Sequence, residues 1–255
     1  MKTISILNLK GGVAKTFTAA NMAYELYRRG FRVLLIDNDK QGNLSKTLGI
    51  YDPEDEYTMA EVMDMKFSGG LIHQTGNERI SAIPANMNLL TANTRAVLDY
   101  SRKQQDRLQK ALDHLKADQV FDFVIIDNAP DINISIINAL AVSDDVVIPM
   151  HMDEYSLDGM QILMDQIRTI RENFNNHMNI VKCLVTDFTN DDVHRQAMEH
   201  VRNAGYDLFC QTIRHTVAKP AESTWAKMPL PMYSPHCGAS IDYRRWVEEY
   251  LGGDL

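Results

Sequence analysis

The chain has 255 residues, of which 45% are hydrophobic and 24% are charged, and its formal net charge is −8. This composition is typical of a folded globular protein, and the acidic balance argues against indiscriminate binding of nucleic acid by the whole surface. No apolar run in the sequence approaches the ~20 residues that a membrane-spanning helix needs.

The first predicted elements are a strand, a small-residue turn and a helix. An apolar run at 4–9 precedes the turn at 10–16, and an amphipathic helix over 16–29 ends at Gly30, a typical helix-ending residue. The N–H groups of a glycine turn and of a helix N-terminus converge on one spot, where the helix dipole adds positive potential. This order predicts an anion-binding loop, in which Lys15 would reach phosphates and Thr16 would place its hydroxyl on Mg²⁺.

The loop itself reads K-G-G-V-A-K-T over residues 10–16. It departs from the strict phosphate-loop pattern G-x-x-x-x-G-K-[ST], because Leu9 and Ala14 stand where that pattern has glycines. An alanine is tolerated at such a position if its φ is negative and is strained if its φ is positive. The alternative is an ordinary strand-to-helix turn that carries two surface lysines.

Further along the chain, short apolar strands alternate with helices. Strands are predicted at 31–36, 79–84, 121–127, 145–149, 180–185 and 210–213. Helices are predicted at 58–65, 89–116, 132–142, 157–173, 191–204 and 241–251, with a proline-rich surface segment from residue 219. Such alternation, with right-handed crossovers, predicts an α/β fold: one doubly wound, mostly parallel sheet with helices on both faces, as a single domain over 1–255.

Carboxylates end two of these strands. Asp37 and Asp39 follow the strand at 31–36, and Asp127 ends the strand at 121–127. Polar residues at the C-terminal ends of parallel strands lie where open α/β sheets bind ligands. Asp127 has the placement of a Walker B carboxylate, which holds Mg²⁺ directly or through water, while a turn or helix-cap role is the alternative reading for such an aspartate.

Together these segments resemble the ParA/MinD family of P-loop ATPases, whose loop K-G-G-V-x-K-T is a deviant form of the phosphate-binding pattern. Ala14 and Phe17 differ from the glycine and the small hydroxyl residue usual in that family. The other matching segments are L-L-I-D-N-D-K-Q-G-N at 34–43, I-I-D-N-A-P at 125–130, I-P at 148–149 with Y-S-L-D-G at 155–159, and L-V-T-D at 184–187. They occur in the family's order and cover nearly the whole chain.

The resemblance implies ATP and Mg²⁺ as cofactors, and it assigns roles to individual residues. Lys15 would bind the β- and γ-phosphates, Lys10 would reach across a dimer to the partner's phosphates, and Asp39 would orient the attacking water. Thr16, Asp37 and Asp127 would support the metal. The implied nucleotide-binding residues are Lys10, Gly11, Gly12, Val13, Ala14, Lys15, Thr16 and Phe17.

The resemblance also implies a switch that works in plasmid or chromosome partitioning. An ATP-bound homodimer would load onto nonspecific double-stranded DNA, and a ParB-like partner would stimulate its slow hydrolysis. The segment I-R-H-T-V-A-K at 213–219 is similar to the family's basic I-P-R-N-V-R-L, with His215 and Ala218 in place of arginines. The candidate DNA-binding residues, which could equally be solvated surface charges, are Arg195, Arg202, Arg214 and Lys219.

A bacterial cytoplasmic location, nucleoid-associated if DNA is bound, follows from the same resemblance. It agrees with an N-terminus that leads straight into a strand and with three widely spaced cysteines, which we expect to be free thiols.

Three other functions are open. A MinD-like positioning ATPase would need a basic amphipathic C-terminal helix, whereas 241–251 mixes arginines with acids, so no membrane partner is expected. Ala14 motivates a weakly hydrolysing, nucleotide-dependent regulator. An ATP-dependent metabolic ligase would use the same loop but would not need Lys10.

Overall fold

The computed structural model describes residues 1–67, 69–118, 121–153 and 158–252, so the family-like segment at 155–157 lies outside the described residues. The strands are β1 (Lys2–Ile6), β2 (Val33–Asn38), β3 (His73–Gln74), β4 (Ile80–Ile83), β5 (Phe123–Asn128), β6 (Asp145–Met150) and β7 (Ile180–Val185). The helices are α1 (Lys15–Arg28), α2 (Asn43–Thr47), α3 (Met59–Met63), α4 (Asn88–Leu98), α5 (Arg107–Asp118), α6 (Ile134–Val142), α7 (Asp158–Phe174), α8 (Asp192–Asn203), α9 (Lys219–Trp225), α10 (Leu230–Tyr233) and α11 (Gly238–Tyr250).

The strands form a seven-stranded sheet in the order β3-β4-β2-β5-β1-β6-β7. All neighbouring pairs are parallel except β3 with β4. Every residue of β2, β5 and β6 is buried, as expected for parallel strands covered on both faces. The predicted fold class is therefore confirmed, and β3 and α2 are short elements that the sequence patterns did not reveal.

Alternate strand residues pack on opposite faces of the sheet, because successive side chains of a strand point to opposite sides. Phe123 and Ile125 of β5 belong to a core cluster shared with α1, α10 and α11. Val124 and Ile126, their neighbours, belong to a cluster shared with α3, α4, α5 and α6. The central strands are thus covered on both sides, and none of the helices within the described residues is long and apolar enough to cross a membrane.

The long helix predicted over 89–116 is wrong, because the structure contains two helices separated by residues 99–106. The start of α5 is fixed by Asn138 of α6, whose side-chain oxygen accepts a hydrogen bond from the N–H of Arg107 at 2.8 Å. The buried guanidinium of Arg107 in turn pairs with Asp99, at the end of α4, at 2.9 Å. A helix cap supplied by another element leaves no local trace in the sequence.

The strand predicted at 210–213 is also wrong, since these residues form no strand in the structure. The N–H groups of Cys210 and Gln211 donate instead to the carboxylate of Glu249 in α11, at 2.7 and 2.9 Å. For these two N–H groups a side chain is the hydrogen-bond acceptor, whereas the N–H of Ile213 donates to the carbonyl oxygen of Val185 in β7 at 2.8 Å.

The proline-rich segment from residue 219 does more than wrap the surface. It forms α9 and α10, and Leu230 of α10 is completely buried in the cluster beneath α1. The N–H of Leu230 donates to the side-chain oxygen of Asn21 in α1 at 2.7 Å. This contact brings the segment between 219 and 233 close to the first helix and to the loop that precedes it.

Candidate functional site

A cleft of about 750 Å³ lies at the C-terminal edge of the sheet, where β1, β2 and β5 end. This volume is within the range of small-molecule sites. The cleft is lined by the predicted phosphate loop, by residues that follow β2 and β5, and by the end of α9: Gly11, Gly12, Ala14, Lys15, Thr16, Phe17, Asp39, Gln41, Asn43, Lys46, Thr47, Asn128, Pro130, Thr224, Trp225 and Lys227.

The loop before α1 turns through two left-handed residues. Gly12 has a φ of 77° and Ala14, at the N-cap of α1, has a φ of 65°. The second value is the strained case for an alanine, because its Cβ approaches the following carbonyl at a cost of about 1–2 kcal/mol. Val13 between them is buried, and its carbonyl oxygen accepts a hydrogen bond from the Thr186 hydroxyl at 3.3 Å. The end of β7 therefore holds the loop from behind.

Lys15 opens α1 and is only 8% exposed. Its ammonium donates to the carbonyl oxygen of Lys10 at 2.9 Å, which uses one of its three donors. Burial lowers the pKa of Lys15, and the carboxylates of Asp127 and Asp39 act against that effect. A lysine buried in this way, at the wall of a cleft, is well placed to bind an anion.

Asp37 and Asp127 lie side by side at the ends of β2 and β5, as partners in the sheet register, and both are 1% exposed. Asp37 accepts hydrogen bonds from the N–H and the hydroxyl of Ser45, at 2.8 and 2.7 Å. Burial raises the pKa of Asp37 to about 7. Burial, followed by the charge of Asp37, also raises the pKa of Asp127, whereas Thr16 and Lys15 lower it.

This pair of carboxylates fits a divalent cation. The Oδ1 atom of Asp127 is buried and has no hydrogen-bond partner among the described residues, and it lies next to a second buried carboxylate. In the part of the chain that the structure describes, no group of three or more His, Cys, Asp or Glu could hold a metal ion by itself. Mg²⁺ commonly binds through one or two carboxylates together with substrate phosphates and water, so Asp127 and the Thr16 hydroxyl fit that ion.

Asp39 and Lys10 flank this centre in different ways. One oxygen of Asp39 accepts a hydrogen bond from the N–H of Gln41 at 2.9 Å, and the residue lines the cleft. The ammonium of Lys10, whose side chain is 36% exposed, forms a short ion pair with Asp153. Lys10 is absent from the lining formed by the described residues, so it stands beside its own cleft and contributes only its carbonyl to Lys15.

The candidate DNA-binding residues lie elsewhere, and none of them lines the cleft among the described residues. Arg214 makes a two-pronged ion pair with Asp242, with both nitrogen–oxygen distances at 2.7 Å. Lys219 pairs with a carboxylate of its own helix at 2.8 Å, Arg195 does so at 2.5 Å, and Arg202 is exposed on α8. The structure therefore places these cations on several elements, and it pairs three of them with carboxylates of the same chain.

Several lining residues escaped the sequence analysis. The side-chain oxygen of Asn128 accepts a hydrogen bond from the Asn38 amide at 2.8 Å. Because Asn128 directly follows Asp127 at the end of a strand, the sequence did offer a signal for this residue. Thr224, Trp225 and Lys227 line the cleft from a distant part of the chain, next to the point where α10 packs on α1. No local pattern could have placed them there.

Comparison with known proteins extends this description. A family model described as an AAA domain matches residues 1–180. The Bacillus subtilis protein Soj, named as a sporulation initiation inhibitor, is 33% identical over 243 residues, which are 94% of each chain. The Caulobacter vibrioides chromosome partitioning protein ParA is 28% identical over 255 residues, covering 98% of this chain and 94% of that protein.

A similar solved structure is that of Mycobacterium smegmatis cobyrinic acid a,c-diamide synthase with a bound ATP analog and magnesium. It is 25% identical and superposes with a TM-score of 0.84, covering 98% of this chain and 94% of that one.

Proposed function

The chain belongs to the AAA domain family matched over residues 1–180 and, within it, to the ParA/Soj-like P-loop ATPases, and from this premise we propose that it is an ATP- and Mg²⁺-dependent switch ATPase of a partitioning system. The observation that carries the proposal is the convergence of three groups at the predicted phosphate loop. Lys15 and Thr16 line the cleft, and Asp127 lies buried next to both, with one oxygen that has no hydrogen-bond partner among the described residues.

In this proposal the loop and the carboxylates divide the work of phosphoryl transfer. Backbone N–H groups of the turn and the Lys15 ammonium hold the β- and γ-phosphates. Thr16 and Asp127 would hold Mg²⁺, with Asp37 behind them, and that ion supplies charge neutralisation at the phosphate oxygens. Asp39, on the cleft wall, orients the attacking water. Positioning and neutralisation are sufficient for such chemistry, which needs little covalent help.

We propose further that Lys10 acts between two copies of the chain. Its ammonium already pairs with a carboxylate of its own chain near the surface, so a partner's phosphate would replace one counter-ion by another. A charge supplied across a dimer works like an arginine finger, which couples hydrolysis to assembly. Slow turnover in the absence of a stimulating, ParB-like partner follows from this arrangement.

We also propose that the ATP-bound dimer binds nonspecific double-stranded DNA. This part of the proposal rests on the family resemblance, and it agrees with relatives that are named as chromosome partitioning proteins. Within this chain, however, Arg214, Lys219 and Arg195 are already paired with carboxylates. Binding through these three cations would require the exchange of their internal partners for phosphates, and it should weaken steeply with salt.

Two observations favour second candidates. The left-handed Ala14 favours a regulator that binds nucleotide and hydrolyses it very slowly. The likeness to the Mycobacterium smegmatis synthase favours an ATP-dependent ligase of metabolism. The Lys10→Ala variant separates the switch from the ligase, because a ligase has no need of a lysine supplied by a second copy.

The test combines calorimetry with sedimentation. We expect ATP to bind at millimolar Mg²⁺, and we expect the chain to become dimeric with ATP but not with ADP. Lys10→Ala should keep ATP binding while losing the dimer and partner-stimulated hydrolysis. Failure of the wild-type chain to bind ATP would remove the whole proposal, whereas an unchanged Lys10→Ala variant would turn it toward the ligase.

A further inference from the structure

The cleft continues beyond the phosphate loop to the C-terminal end of α9. Thr224, Trp225 and Lys227 line it there, in the same continuous space as Gly12 and Lys15. Trp225 is 90% exposed, although tryptophan is highly buried on average. A large aromatic face is thus presented to solvent beside a candidate nucleotide site.

The two tryptophans of the chain have opposite environments. Trp246 in α11 is fully buried, and its ring packs edge-on against Phe209 with the ring centres 5.7 Å apart. Trp225 makes no comparable contribution to the core, because nine-tenths of its surface faces solvent. Its presence at the cleft is therefore not explained by packing.

The backbone after Trp225 is held in a costly conformation. Lys227 has a φ of 53°, in the left-handed region where a helix usually ends with glycine. Its N–H donates to the carbonyl of Thr224 at 3.1 Å, and the next N–H, of Met228, donates to that of Ser223 at 3.0 Å. Strained non-glycine residues occur preferentially at ligand-binding positions, and this one places an ammonium-bearing side chain on the cleft.

We propose that Trp225 stacks on the base of the nucleotide whose phosphates occupy the loop, with Lys227 on the same rim. The inference rests on the proposed function, since it needs a nucleotide in the cleft. Every nucleobase has a π-face, so stacking on an aromatic ring adds affinity with little discrimination between bases. Trp225 therefore provides affinity for a nucleoside triphosphate over bare triphosphate, and selection of adenine lies with other contacts.

Fluorescence tests the stacking directly. In the wild-type chain, titration with ATP and Mg²⁺ should quench or shift the emission of the exposed tryptophan, while inorganic triphosphate with Mg²⁺ should leave it unchanged. The ATP-dependent change should disappear in Trp225→Phe, because the remaining Trp246 is buried. A wild-type signal that inorganic triphosphate reproduces would overturn the inference.

Calorimetry supplies the second measurement. Trp225→Ala should weaken the binding of ATP by about 5- to 150-fold in Kd, the range expected for one lost base stack, and should leave the Kd for inorganic triphosphate unchanged. Tyr100→Ala is the matched control, because Tyr100 is 87% exposed and lies between α4 and α5, apart from the cleft lining.

The outcomes separate this inference from the proposed function. If the wild-type chain binds ATP and Trp225→Ala binds it equally well, the stacking is wrong and the nucleotide site stands. An equal loss for ATP and for inorganic triphosphate also overturns the stacking, since Trp225 would then support the shape of the loop. If the wild-type chain binds no ATP, the proposed function fails and this inference falls with it.

Discussion

Two groups of charged residues differ in burial and in how completely they are paired. One group lies at the edge of the sheet that carries the phosphate loop, and the other consists of the candidate DNA-binding cations. At the loop, Lys15 is 8% exposed, and a buried oxygen of Asp127 lacks a partner among the described residues. Among the candidate DNA-binding cations, Arg214 is more than half exposed, yet two nitrogens of its guanidinium already donate to the carboxylate of Asp242. Polar groups that are buried but incompletely satisfied are expensive, and they indicate a missing ligand.

The difference teaches that the number of charges in a segment is a poor guide to what the segment binds. Residues 1–50 and residues 190–227 both contain several lysines and arginines. Only the first set places a cation inside the fold beside two buried carboxylates, of which Asp37 raises the pKa of Asp127. In the second set, Arg214 and Lys219 already form ion pairs with carboxylates of the same chain, so an anionic ligand would have to compete with those carboxylates.

The largest effect is expected at the loop. Lys15→Ala should lower ATP hydrolysis by about 10²- to 10³-fold, because in the proposed function this ammonium stabilises the transferred phosphoryl group. Folding should be little affected, since burial already disfavours the charged form of this lysine. Phosphate release at saturating ATP and Mg²⁺ measures the change, and Lys103→Ala, an exposed lysine between α4 and α5, is the control. Comparable hydrolysis in the two variants would show that Lys15 is no more important for activity than an exposed surface lysine.

The next largest effect is expected on the stability of the fold, and it concerns Arg214, one of the candidate DNA-binding cations. Arg214→Ala should lower the free energy of unfolding by about 2 kcal/mol, because Asp242 is nearly buried and loses a charged, two-pronged partner. Urea denaturation followed by circular dichroism measures this change. Asp242→Asn is the companion variant, and it should also destabilise the fold. A midpoint of Arg214→Ala that equals that of the wild type would show that the arginine is free for an external ligand.

The sequence predicts the loop edge well, because its signals are local. Strand, turn and helix follow one another within residues 4–29, and Asp37 and Asp127 end strands whose apolar runs are continuous. The structure places those two carboxylates in register on neighbouring strands.

The errors occur where the decisive contact is distant in sequence. The break between α4 and α5 depends on Asn138, which caps the second helix from 31 residues away. In the segment 210–213, which forms no strand, the N–H groups of Cys210 and Gln211 donate to Glu249 of α11. Trp225 reaches the cleft through the packing of α10 on α1, although more than 200 residues separate it from the loop. Hydrophobic periodicity contains no information about such partners.

A smaller effect is expected at Ala14. Replacement by glycine relieves about 1–2 kcal/mol of left-handed strain and costs about 0.5–1 kcal/mol of unfolded-chain entropy, so Ala14→Gly should raise the free energy of unfolding by about 0.5–1 kcal/mol. The same denaturation experiment measures this gain. Ala218→Gly, at the N-cap of α9 with a φ of −94°, is the control and should be neutral or destabilising. A destabilised Ala14→Gly would mean that the alanine fits the turn without strain.

The smallest effect is expected at Lys219. It decides whether this candidate DNA-binding lysine contacts DNA or only pairs with Glu222. Its ion pair with Glu222 is solvent-exposed on both sides, so Lys219→Ala should leave the denaturation midpoint unchanged. If Lys219 nevertheless contacts a DNA phosphate in the ATP-bound state, the slope of log affinity against log salt should become shallower by about one unit. Binding to random duplex DNA across a salt series measures that slope. Lys66→Ala, another exposed lysine beside a carboxylate, should leave it unchanged. An unchanged slope in both variants would assign Lys219 to its helix alone, because a cation that releases no counter-ion on binding is not at the interface.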